Sequence, residues 1–142
     1  MAFATSSRRI LEAILATAST AILFWFGSGL NPVWPLMWIA PLPILIFALR
    51  HSWRSAAITS AIAMFLAGSN LWSYIHSALG AGATAWISIY AVAAVVFAAS
   101  VVLFRALVLR GAPWSALLAL PAASVAVEYL RNFVTPHGTA GS

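Results

Sequence analysis

The chain has no cysteine and no lysine, and its only two acids are glutamates, Glu12 and Glu128. Each absence closes a route. Without cysteine there is no disulfide, no thiolate metal ligand and no thiol nucleophile. Without lysine there is no lysine-based catalysis. A Ser-His-Asp triad lacks its aspartate. Charge of either sign is scarce: 6% of the 142 residues are charged, against 63% hydrophobic. A soluble domain carries about a quarter charged residues, so this chain cannot cover itself with polar surface in water. Its composition is that of an integral membrane protein. All seven basic residues are arginines, and the net charge is +5. They are scattered in pairs rather than gathered on one stripe, which argues against nucleic acid as a partner. They read better as topology signals.

What is present is a series of apolar runs. Residues 1–9 form a short polar start with Arg8 and Arg9. The first run, 10–26, could be the core of a signal peptide, but bulky Trp25 and Phe26 stand where small residues would mark a cleavage site. An uncleaved span is expected. Gly27-Ser28-Gly29 and Asn31-Pro32 signal a turn. Run 35–49 is rich in Trp and Pro, and neighbouring helices can re-satisfy the backbone groups that its prolines free. A short, kinked span is expected there. Run 56–75 ends in Trp72, Tyr74 and His76, a mixture suited to a membrane interface. Gly80 and Gly82 make the next turn. Runs 86–107 and 114–129 come next, separated by a break at Gly111-Ala112-Pro113. Allowing for ends and tilt, each run is expected to cross about 30 Å of hydrocarbon, 35–49 and 114–129 being the shortest. No run alternates as a barrel strand does. The expected fold is all-α: a polytopic transmembrane bundle of about five spans within residues 1–131, then a polar tail, 132–142, that reads as the start of a truncated loop.

Orientation follows from the arginines. With alternating ends and the amino terminus inside, Arg8, Arg9, Arg50, Arg54, Arg105 and Arg110 share one side, and Arg131 alone takes the other. The arginine-rich side is expected to be cytoplasmic. Asn70, His76, Glu128, Arg131 and His137 then belong to the outer face.

The run 113–131 is expected to organise the rest. Glu128 there is the only acid read as close to membrane depth, and Arg131 lies on the same helical face. Such a charge needs a partner or a wet cavity. Together they could bind a phosphate head group or shuttle a proton. The plainer alternative is a structural ion pair at the interface. His76, His137 and Glu128 share a face, yet their spacing matches no metal motif, and no metal or cofactor is expected. The cluster from Trp34 to Pro43 could line a groove for acyl chains or a lipid head group, or be simply an aromatic belt. Trp72, Tyr74 and His76 are the remaining lipid-facing candidates. The turn glycines form no phosphate-binding loop.

Two passages together resemble a known family. They are Trp34-Pro35-Leu36-Met37-Trp38-Ile39-Ala40-Pro41-Leu42-Pro43, leading to Arg50, and Ala119-Leu120-Pro121-Ala122-Ala123-Ser124-Val125-Ala126-Val127-Glu128-Tyr129-Leu130-Arg131. Both resemble the amino-terminal membrane region of bacterial apolipoprotein N-acyltransferase. Gly68-Ser69-Asn70-Leu71-Trp72-Ser73-Tyr74 resembles that family's third span. The resemblance implies a multi-pass protein of the bacterial cytoplasmic (inner) membrane. It also implies an enzyme that transfers an acyl chain from a membrane phospholipid to the amino-terminal cysteine of a lipoprotein. The family's Glu-Lys-Cys triad lies in a nitrilase-like domain, and none of it can be placed on this chain. After Arg131 the family's Gly-Phe-Pro-Trp-like turn is replaced by Thr135-Pro136-His137-Gly138-Thr139. No catalytic residue is therefore assigned, and the chain alone is expected to be inactive. A lipoprotein substrate is expected only when the chain is joined to a catalytic domain, with Glu128 and Arg131 holding the outer end of the last span near the active site. The alternative expectation is a small non-enzymatic membrane scaffold or assembly subunit.

Overall fold

The computed structural model describes residues 2–78, 80 and 82–134, with the backbone alone for 2–6 and 131–134. Among the described residues every regular element is a helix. In order these are α1 (Ala2–Gly27), α2 (Pro35–Ile39), α3 (Leu42–Arg50), α4 (Trp53–Ala67), a 3-10 turn (Gly68–Leu71), α5 (Trp72–Ser77), α6 (Ala83–Leu109), α7 (Pro113–Leu117) and α8 (Ala119–Val134).

Proline sets most of the breaks. Pro35 and Pro113 open α2 and α7, where the missing N–H is no loss. Pro41 and Pro43 stop α2 from running on, because a proline ring collides with the carbonyl four residues earlier. Pro121 does the same to Leu117, and the chain breaks at Leu118 between α7 and α8. Ser52 caps α4, its hydroxyl accepting from the Ser55 N–H at 3.2 Å. Toward the carboxyl end, α8 runs through Val134, into the segment expected to be an unstructured tail. Asn132-Phe133-Val134 holds no breaker, and Pro136 disfavours helix only from residue 135.

Three helical stretches are long and apolar enough to cross a membrane: Ser7–Gly27, Trp53–Ser77 and Ala83–Leu109. The apolar helices Pro35–Arg50 and Ala119–Leu130 are shorter. The molecule is thus a helical membrane protein by length and composition.

Packing centres on the α4–α6 pair, not on the 113–131 run expected from the sequence. Helix α4 lies between α1 and α6, and α8 rests against α6 at the edge. The reason is side-chain size. Ala56, Ser60, Ala63 and Ala67 on α4 are buried, and small residues let helix backbones approach closely. On α8, Val125, Tyr129 and Leu130 are exposed. The buried hydroxyls of α4 are satisfied within the helix: Ser60 Oγ donates to the Ala56 carbonyl at 2.6 Å, and Thr59 Oγ1 to that of Ser55 at 2.7 Å.

One end of the bundle is tied by charge. Glu12 accepts from Arg8 at 3.0 Å and pairs with His51 Nε2 at 2.8 Å. Arg105 Nε donates to the carbonyls of Ala48 and His51, at 2.8 and 3.1 Å, and so caps the end of α3 from α6. Glu12 lies inside the Ser7–Gly27 stretch and reaches a second helix through its pair with His51. The other end is tied by an amide. Asn70 Nδ2 donates to the carbonyls of Trp25 and Ser28, at 2.9 and 3.1 Å, and closes the loop after α1. Gly29 turns beside it at φ +99°, where a side chain would be strained.

A candidate lipid cavity between α2, α6 and α8

A cavity of about 700 Å³ opens on the side of the bundle where α8 meets α6. It follows α6 from Ser88 to Ser100, about 18 Å of helix rise. Met37 and Pro41 close it from α2 and the break after it, and Pro121, Ser124 and Val127 from α8. Phe24 and Phe97 meet edge-on at its inner wall, ring centroids 5.5 Å apart. Local sequence explains each wall. The break at Pro41 turns Met37 and Pro41 toward α6, and the break at Leu118 lets α8 start afresh alongside α6.

Among the described residues the lining carries no titratable side chain. Its three hydroxyls all donate to their own helices: Ser88 to the Thr84 carbonyl at 2.9 Å, Ser100 to Val96 at 2.7 Å, Ser124 to Leu120 at 3.0 Å. None has a base to activate it. The described lining suits an apolar group.

Only part of the expected site converges here. Of the cluster 34–43, Met37 and Pro41 line the cavity, while Trp34 and Trp38 are 69% and 77% exposed and point away. Glu128 comes directly after the lining residue Val127 and is exposed but engaged within the protein. The Arg131 side chain and His137 lie outside the described residues. Trp72 and His76 stack with ring centroids 5.5 Å apart, and Trp72 also meets Trp86 edge-on at 5.5 Å. Tyr74 stands exposed beside them and makes no ring contact. Trp86 Nε1 donates to the Gly68 carbonyl at 3.2 Å, and Tyr90 covers Gly68 so closely that no Cβ fits. These rings form a packed aromatic end rather than a pocket. Among the described residues no three His, Cys, Asp or Glu side chains gather as a metal site.

Sequence reasoning missed Phe24, Met64, Val96 and Phe97 as cavity residues, because an apolar residue inside a span carries no sign of what it faces. It also missed the Glu12–His51 pair, whose members are 39 residues apart. A histidine directly after Arg50 and a glutamate one turn after Arg8 were the available signals.

Fold and cavity together define the class: a helical membrane protein with a side cavity suited to hydrocarbon. No family model, no curated protein and no solved structure matches the chain.

Proposed function

We propose that the chain is the amino-terminal membrane region of an apolipoprotein N-acyltransferase-like enzyme, and that the 700 Å³ cavity receives an acyl chain of the phospholipid donor. One observation carries this reading. The two passages that resemble the family, 34–43 and 119–131, are about 80 residues apart in the chain, and both contribute walls to the same apolar cavity. The cavity also runs along the middle of α6, from Ser88 to Ser100, and Arg105 and Arg110 lie beyond its lining. With the arginine-rich end cytoplasmic, its Ser88 end points toward the outer leaflet, where this chemistry takes place in the family. In this reading Glu128 and Arg131 keep the role expected from the sequence, holding the outer end of the last span. The chain acts as a lipid-holding part, because among the described residues the cavity's serines have no base beside them and the sequence has no cysteine or lysine.

The test is mass spectrometry of lipoprotein amino termini from source cells with and without the gene. Loss of the amide-linked acyl chain on deletion is expected. Unchanged acylation sinks the reading and favours the non-enzymatic scaffold. An antibody against residues 132–142 adds a second test: the reading expects the protein to migrate in source membranes joined to, or associated with, a cysteine-bearing catalytic domain.

A further inference from the structure

A second cavity, of about 590 Å³, lies at the arginine-rich end, where the start of α1 meets the turn between α3 and α4. Its polar wall is Arg9, Arg50, His51, Ser52 and Ser55. Its apolar wall includes Ile10, Phe47 and Ile58. Three features say what it fits. First, the positive charge is uncommitted: among the described residues neither Arg9 nor Arg50 has an ion-pair or hydrogen-bond partner. Arg8 pairs with Glu12 and His51 hydrogen-bonds to it, and Glu12 does not line this cavity. Second, the amino-terminal end of α4 opens into it at Ser52 and Ser55, adding the positive end of a helix dipole. Third, the apolar wall continues outward. Ile10 is 58% and Ile58 60% exposed, both on stretches long enough to span a membrane. A free phosphate would use the arginines and leave the isoleucines idle. The volume also far exceeds the roughly 30 Å³ share of one water molecule, so it takes a head group rather than a single small ion.

We propose that this cavity binds an anionic phospholipid, with its phosphate on Arg9 and Arg50 and its chains running over Ile10 and Ile58. Arginine grips phosphate through a planar fork of donors, and basic pockets between helices at a membrane surface are a recurrent means of lipid recognition. Bound there, the lipid bridges α1 to the α3–α4 turn, alongside the Glu12–His51 pair. This inference does not depend on acyl transfer.

The test is native mass spectrometry of the full chain, released from nanodiscs of phosphatidylcholine mixed equally with phosphatidylglycerol or cardiolipin. Selective retention of the anionic lipid is expected. The double variant Arg9→Gln/Arg50→Gln should weaken that retention about tenfold or more. Arg110→Gln, outside the cavity, should leave it unchanged. Equal retention of phosphatidylcholine by the unmodified chain overturns the proposal without recourse to any variant. Retention undiminished in the folded double variant overturns it too. So does displacement of the anionic lipid by millimolar inorganic phosphate, which would make this a site for a soluble anion.

Discussion

Gly68 is the residue on which the aromatic end depends. A Cβ built there would lie 2.0 Å from Tyr90 Cδ1, and rings backed by Trp86 have little room to retreat. Gly68→Ala should destabilise the protein by about 1–3 kcal/mol, the usual cost of overpacking. Adding Tyr90→Ala should recover part of that loss. Thermal unfolding in detergent micelles measures both. Arg105 makes the opposite kind of contribution. Its two bonds to the Ala48 and His51 carbonyls satisfy groups at the end of α3 that no intrahelical donor reaches. Arg105→Met keeps the stem and removes the donors, and should cost about 2 kcal/mol in the same assay. Neither residue was legible as structural in the sequence. Arg105 reads there as a topology charge and Gly68 only as the start of a passage resembling a family's third span, because each acts through a partner more than 15 residues away.

At the scale of elements, the interruptions matter more than the helices. The Trp53–Ser77 stretch tightens to a 3-10 turn at Gly68–Leu71, and that turn presents Asn70 to the end of α1. Asn70→Ala removes the donor that closes the loop 28–34. The expected loss is about 1–3 kcal/mol, together with faster proteolytic cutting near Leu30, while the helical circular dichroism signal stays unchanged. A cut rate equal to that of the parent protein would show that the loop is held by other means. The break at Leu118 has a similar role, since it lets α8 form one wall of the 700 Å³ cavity. No proline marks the turn at Gly68–Leu71, but Pro121, behind the break at Leu118, is plain in the sequence. Which neighbour each broken piece then meets is not, since a proline specifies where a helix stops but not the direction the next helix takes.

At the scale of the whole molecule, the open question with a simple answer is orientation. The chain has no cysteine, so introduced thiols report without background. Leu30→Cys and Ser52→Cys lie in the loops at opposite ends of α1 and α3. In intact cells a membrane-impermeant maleimide should label the first and spare the second until the membrane is opened. The reverse pattern would place the arginines outside and turn the Ser88 end of the cavity away from the leaflet proposed for it. The all-helical membrane class was already determined by composition and by apolar runs without strand alternation, because a chain with so few charges has no other way to satisfy its backbone in lipid. The turns at Asn31-Pro32 and Gly111-Ala112-Pro113 and the kink in 35–49 were marked likewise, because proline acts on residues next to it, whereas the breaks at Gly68–Leu71 and Leu118 fall inside runs expected to be continuous. Only the tertiary structure decided that the α4–α6 pair rather than the 113–131 run is central, that Glu12 answers His51, and that residues 34–43 and 119–131 share one cavity. In lipid every outward apolar face is equally content, so hydrophobicity cannot tell one span which face to turn inward. Small residues and a few polar contacts make that choice, and they act only once the helices stand side by side.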